Sequence, residues 1–310
     1  MDKLINSPIK DNAKAKLIQT INSNKVAEGY KTIFNIDVSN FFLGVDEIGI
    51  YECETTGYQF YYPDTLSGDG FFYTQLQNIE WYYQAWKWEF EMALGLIEKN
   101  SKVLEIGCGE GAFLKRVKVK ASYCVGLEIN NNTITNKDGF SIINKTIEAY
   151  ALQNKNEFDW VISFQVLEHI SNVRRFIEAS LECLKPGGKL LIAVPNNDAF
   201  FFKKRLIDFN DNEYQKTLLL NLPPHHMSIW NKRSLSSLQN IFSIKLDNFF
   251  LEPLRPWRKD LNLRIKEKTK GPVFKKIMKF IPPKYFYRLL GLFNKDVNMG
   301  DTIIVVFQKV

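Results

Sequence analysis

Three groups of residues carry side chains that could do chemistry. Lys102–Leu114 reads Lys-Val-Leu-Glu-Ile-Gly-Cys-Gly-Glu-Gly-Ala-Phe-Leu, an apolar β run that passes Glu105 and then alternates glycines at 107, 109 and 111. Glycine adopts φ > 0 and has no Cβ, so a ligand can lie on such a loop's backbone. A helix after the loop would aim its first amides at that ligand. Glu128 ends the next apolar run, at the distance from Gly107 where an acid can accept both hydroxyls of a ribose. The chain has only three histidines, placed in Leu167-Glu168-His169 and Pro223-Pro224-His225-His226. Imidazole is the side chain best suited to take a proton near pH 7. A tight turn without ligand, a solvated acid and hydrogen-bonded structural histidines are the plain alternatives.

The loop fits two ligands. Gly107, Gly109 and Ala112 match the dinucleotide pattern G-x-G-x-x-G/A. Gly107, Gly109 and Gly111, with Glu105 two residues ahead, match E-x-G-x-G-x-G. A pyrophosphate would be repelled by the Glu105 carboxylate, whereas a cationic amino-acid group would be attracted. The order of this loop, Glu128, Ile147-Glu148, a Phe158-Asp159 strand and Leu167-Glu168-His169, with Lys185-Pro186-Gly187-Gly188 before the fifth strand, resembles the class I S-adenosylmethionine (SAM) methyltransferases. It is most similar to a bacterial branch that often carries Pro-Pro-His-His and is associated with sugars and surface polysaccharides. The resemblance spans residues 98–252 and the C-terminal strand.

That resemblance implies SAM as cofactor and a set of site residues. Glu105, Gly107, Cys108, Gly109 and Gly111 would hold its amino-acid end, Glu128 and Ile129 its ribose, and Ile147 and Glu148 its adenine, with Gln165 at the same edge. His225, His226 and His169 become candidate catalytic bases, and Tyr82, Trp88, Glu168 and Asn196 candidate substrate contacts. A sugar or glycan hydroxyl is the first acceptor considered and a quinone-type small molecule the second. An NAD-dependent oxidoreductase and a non-catalytic SAM-binding protein are the alternatives from other classes.

Positioning these residues requires strands alternating with helices. Val103–Ile106, Tyr123–Glu128, Ser141–Ile147, Phe158–Phe164 and Lys189–Pro195 read as short apolar strands, with helices over Gly111–Val119 and Val173–Leu184. The alternation predicts an α/β fold with a doubly wound, mostly parallel sheet of seven strands, closed by an antiparallel pair at Ile241–Phe250 and Thr302–Val310. The methyltransferase domain is assigned to 95–252 plus 299–310. Before it, residues 1–94 form an aromatic-rich extension or lid. Within it, an N-terminal polar helix, strands at Ile33–Val38 and Ile48–Tyr51, and a helical apolar stripe Ile79, Tyr83, Trp86, Phe90, Leu94, Ile97 are predicted. Tyr82 and Trp88 fall off that stripe, where they could line the lid. Cys53 and Gly57-Tyr58-Gln59-Phe60 resemble the remnant of a zinc ribbon whose other cysteines are missing.

Composition narrows the partners. The four cysteines form no C-x-x-C pair, so neither a disulfide framework nor a metal is expected. No apolar run approaches the ~20 residues of a membrane span, and Met1–Asn6 lacks a signal-peptide pattern, so the chain reads as cytoplasmic. The net charge of +7 is concentrated in a basic helical insertion at 253–298, with thirteen lysines and arginines against three acids. Its Phe274, Ile277, Met278 and Ile281 share one helical face. Such a helix can pack on the domain, rest peripherally on an anionic membrane, or attract a phosphate-bearing acceptor. No nucleic-acid motif accompanies it.

Overall fold

The first described elements are strands rather than the expected polar helix. The computed structural model describes residues 4–79, 86–129, 135–137, 139–199, 212–255 and 299–310. Leu4–Asn6 (β1) pairs antiparallel with Lys14–Asn22 (β2), which pairs with Glu47–Cys53 (β3), itself joined to Gln59–Tyr62 (β4). The lysines of β2 made it look helical, but alternate residues face inward, with Ala15 and Ile21 buried. The first helix, Ser23–Phe34 (α1), starts where Asn22 accepts the Lys25 amide and stops at Asn35, which takes φ 57°. The predicted strand at Ile33–Val38 is therefore the last turn of α1 and its cap. Asn tolerates that left-handed conformation, and a strand cannot begin on it.

The aromatic segment does not form one continuous helix. Gly70–Gln77 (α2) and Trp88–Leu96 (α3) are separate, and Lys87 between them is extended at φ −133°, ψ 151°. Ile79 packs on the core under the first sheet with Tyr30, Phe72 and Leu76. Phe90 and Ile97 enter a different core with Phe113 and Trp160. Serving two cores breaks the stripe. Tyr83 lies outside the described residues.

The second sheet has Lys102–Ile106 (β5) at its centre. One short helix, Leu114–Val117 (α4), replaces the longer one predicted from Gly111. Then come Tyr123–Leu127 (β6), Thr135–Lys137 (β7), Phe140–Ile143 (β8), the helix Ile147–Ala151 (α5) and Phe158–Phe164 (β9). The third predicted strand is thus shorter, and Ile147 opens a helix capped by Thr146. Val173–Cys183 (α6) precedes Leu184–Pro195 (β10), and Asn212–Leu219 (α7), Ser228–Ile229 (β11) and Lys232–Ser236 (α8) follow. Ile244–Pro253 (β12) and Met299–Lys309 (β13) complete the sheet in the order β12-β13-β10-β9-β5-β6-β8-β7. β13 runs antiparallel between β10 and β12, as predicted, and the short edge strand β7 adds an eighth strand to the expected seven. Both faces are covered: Leu104, Ile106 and Val161 enter one core, Val103, Trp160 and Ile162 the other. Strands buried on both faces read as continuous apolar runs, which made them visible.

The two sheets are tied together by β11, which pairs with β4 through Ser228 and Phe60. Tyr51, Tyr58 and Phe60 of the first sheet share one core with Trp230 and the face of the second sheet that carries Leu104. Residues 256–298 of the basic insertion assigned to 253–298 lie outside the described residues, and among those described no helix is long and apolar enough to cross a membrane.

Candidate functional site

The glycine loop leaves the carboxyl end of β5 in a backbone that side chains resist. Gly107, Gly109 and Gly111 all have positive φ, at 70°, 51° and 74°. A Cβ on Gly107 would lie 2.5 Å from Val166 Cγ2, in the turn after β9. The loop is pinned from beneath by Leu127, whose carbonyl accepts the amides of Gly107 and Cys108. Gly107→Ala is expected to cost about 1–3 kcal/mol in strain and to weaken SAM-site binding, read by thermal melts and by titration with S-adenosylhomocysteine. Gly95→Ala, with nothing within 4 Å of the new methyl, is the silent control.

Around this loop stand the acids. Glu105 is buried, and its Oε2 has no hydrogen-bond partner. Desolvation pushes its carboxyl well above the usual range, against the pull of Lys87. Glu128 is half-buried at the end of β6, and its Oε2 accepts the Gly109 amide at 2.9 Å. Ile129 beside it is exposed. Ile147 and Glu148 sit on the first turn of α5, with Ile147 in the core and Glu148 half-buried. Cys108 turns its thiol inward, where burial raises it, so only its backbone belongs to the loop. Three Cβ-free positions, an unpaired buried carboxylate and a strand-end acid suit the backbone approach, the ammonium group and the ribose hydroxyls of SAM.

The three histidines come together from two loops 56 residues apart. His169 lies in the short turn Leu167–His169 after β9, and His225 and His226 follow the Pro223–Pro224 pair. Their ring centroids are 4.6 Å (169–225), 4.9 Å (169–226) and 4.5 Å (225–226) apart. Each Nδ1 meets an oxygen: His169 with His225 O at 2.6 Å, His225 with Leu220 O at 2.7 Å, His226 with Asn221 Oδ1 at 2.9 Å. A carbonyl can only accept, so each Nδ1 carries the proton and each Nε2 keeps a lone pair. Burial lowers His169 to about 4 and holds His225 and His226 well below the usual value, so all three rings are neutral at pH 7. Glu168 is buried next to His169 with neither carboxylate oxygen hydrogen-bonded, and desolvation pushes it up to about 8. Tyr73 and Phe72 place their ring edges against the cluster, Tyr73 at 5.6 Å from His169 and Phe72 at 6.2 Å from His225.

The remaining described candidates are engaged by other parts of the chain. Asn196 is a fastener: its Nδ2 donates to Gly300 O, and its Oδ1 accepts the Asp198 amide. Trp88 packs at the margin of the core that holds Phe90. Gln165, at φ 55°, donates to Glu89 at 3.3 Å. Tyr82 lies outside the described residues. Two positions escaped the sequence reading. Lys87 is the cation whose field reaches Glu89, Glu105 and Glu168 together, and Asn221 orients His226 while donating to Asn197 Oδ1. A charged Lys-Trp-Glu inside an aromatic stripe was the available signal for Lys87. Asn221 had none.

Known proteins match parts of this chain. Residues 79–240 match a family model described as a methyltransferase domain. A "Ubiquinone biosynthesis O-methyltransferase" of Bartonella tribocorum is 33% identical over 104 residues, 31% of this chain and 42% of that protein. The mitochondrial protein of the same name in Dictyostelium discoideum is 30% identical over 112 residues, 30% of this chain and 35% of its own length. The match thus spans less than half of these relatives. Among solved structures, a SAM-dependent methyltransferase from Archaeoglobus fulgidus is 17% identical, with a TM-score of 0.48 over 71% of this chain and 91% of that one.

Proposed function

The chain belongs to the methyltransferase-domain family, as a class I SAM-dependent methyltransferase, and on that premise we propose that it methylates a hydroxyl of a small aromatic acceptor. The carrying observation is the Glu105 carboxylate, buried beside three positive-φ glycines with Oε2 unpartnered. Burying a carboxylate without a partner is costly, and an ammonium group from the cofactor relieves that cost. SAM supplies, when bound, an electrophilic methyl group. The chain's own residues do the rest. Glu105 fixes the amino-acid end, the loop backbone carries the ligand, and Glu128 accepts the ribose hydroxyls. The neutral histidines present lone pairs to the acceptor's hydroxyl, and Tyr73 flanks it. Holding an oxygen nucleophile in place contributes more to such a reaction than any single base, and a positioned base adds on the order of 10²–10⁴.

The choice of acceptor rests on packing. A sugar acceptor draws on the family resemblance and on the aromatic-rich extension, but Tyr51, Tyr58, Phe60 and Tyr61 are buried in cores and cannot stack on a sugar. The half-buried ring that remains beside the histidines, Tyr73, offers an edge suited to another aromatic ring, with the core residue Phe72 packed behind it. The quinone-linked O-methyltransferase names of the relatives support the same class. The test is a mass-spectrometric screen with SAM, comparing catechols and hydroquinones with nucleotide sugars. A one-carbon product from the phenolic panel is expected. Methylation of nucleotide sugars alone would overturn the acceptor class, and failure to bind S-adenosylhomocysteine would overturn the enzyme reading.

A further inference from the structure

Glu105 is a buried acid with little beside it to stabilise a charge. It keeps 3% of its surface, and no donor reaches Oε2. The charged and titratable groups around it come from three elements. Lys87, ahead of α3, favours ionisation but acts through space, with no hydrogen bond or ion pair to the carboxyl among the described residues. Glu128, at the end of β6, opposes it, and desolvation outweighs both. The thiols of Cys108 on the glycine loop and Cys124 on β6 are themselves raised, Cys124 to about 11. Neither gives up a proton near neutral pH. A carboxyl group placed in this way keeps its proton, because burying the charged form without a partner costs more. Glu128 is the contrast: it is half-buried, and its Oε2 has the Gly109 amide as donor.

We propose that the ammonium group of the cofactor displaces the Glu105 proton, so that each binding event at the glycine loop releases one proton and the site holds its ligand more tightly as pH rises. This rests on the placement of that ammonium at Glu105 under the function proposed above. In the free chain the Glu105 O–H bond is intact. On binding, that bond breaks and the proton leaves to solvent. The carboxylate left behind pairs with the ammonium, which keeps all three of its hydrogens. The ligand thereby supplies what Lys87 does not, a cation in direct contact, and Coulomb attraction is largest at short range in a buried site. The sign of the pH effect follows. While Glu105 is protonated in the free chain, the ligand must expel a proton, so affinity rises with pH. Once Glu105 ionises without ligand, the dependence ends.

The decisive experiment is calorimetric titration of the full chain with S-adenosylhomocysteine at pH 6.5, in two buffers of different ionisation enthalpy. At that pH the ligand's amino group is charged, so a released proton comes from the protein. Release of about one proton per ligand is expected, with affinity rising about tenfold from pH 5.5 to pH 6.5, the slope of a single proton. Glu105→Gln has no proton to give, and is expected to release none and to bind about equally at both pH values. Infrared difference spectra add a readout that does not depend on how tightly the variant binds. A protonated-carboxyl band should be lost when the wild-type chain binds ligand, and the free Glu105→Gln chain should lack that band. Binding without proton release, or equal release by Glu105→Gln, would overturn the proposal while leaving the cofactor site in place. No S-adenosylhomocysteine binding by the folded wild-type chain would remove the site itself, and the proton linkage with it.

Discussion

Glu105→Gln is expected to weaken S-adenosylhomocysteine binding by roughly 10- to 100-fold while making the ligand-free protein more stable. The two effects share one cause. The carboxylate is buried at the carboxyl end of β5 with Oε2 unpartnered, and Lys87 offsets only part of its desolvation. A charge-assisted contact to the ligand's ammonium contributes about 1.5–3 kcal/mol, which sets the expected loss of affinity. Without ligand, the folded protein holds the proton on Glu105 at a pH where the unfolded chain has released it. The raised carboxyl therefore contributes stability fully present below the unfolded value near 4.3 and lost as pH rises toward the folded value. In Glu105→Gln that decline disappears, while the similar declines from Glu89 and Glu168 remain. The difference between variant and wild type in ligand-free thermal melts at pH 5 and pH 8 isolates it. Equal affinity for S-adenosylhomocysteine would remove Glu105 from the cofactor site.

What was legible in the sequence follows from how far each signal reaches along the chain. The edge that carries the glycine loop was visible because β5, its glycines and Glu128 are local patterns, and strands buried on both faces show as apolar runs. Of the N-terminal sheet only β3 was visible, through Ile48–Tyr51, because β2 exposes Lys14, Lys16, Gln19 and Thr20 and so looked polar. In the same sheet β11 is two residues long, too short for any period. The histidines were singled out as residues, but that His169 meets His225 and His226 depends on the fold alone. Asn196 misled for the converse reason: a polar residue at a strand end looks like a site, and its amide serves β13 instead. Lys87 was passed over because the stripe around it read as one helix, and the chain is extended there.

The second large effect is expected at Trp230, remote from the cofactor loop in sequence. Trp230→Ala should destabilise the protein by about 3–5 kcal/mol, a large part of the ~5–15 kcal/mol by which a domain is folded. The side chain is fully buried against Tyr58 at 4.6 Å, and its Nε1 donates to Ser228 Oγ at 2.8 Å. That serine sits on β11, paired to Phe60, and its hydroxyl lies 3.3 Å from Leu167 O and 3.4 Å from Glu168 O. The Met227 amide donates to Glu168 O at 2.8 Å, and the Trp230 carbonyl accepts the Asn197 amide at 3.0 Å. One indole thus backs a strand that joins the first sheet, the turn bearing His169 and the loop bearing His225 and His226. Removing it leaves a cavity at that junction, so the two histidine loops should lose their registry before the glycine loop does. Measured below the melting temperature, Trp230→Ala should lose turnover by a larger factor than it loses S-adenosylhomocysteine affinity. Trp230→Phe, which keeps most of the volume and gives up the hydrogen bond, should fall between. A melting temperature within ~2 °C of wild type would show that the strand is held without the indole, because a loss of 3–5 kcal/mol shifts a chain of this size by about 10 °C.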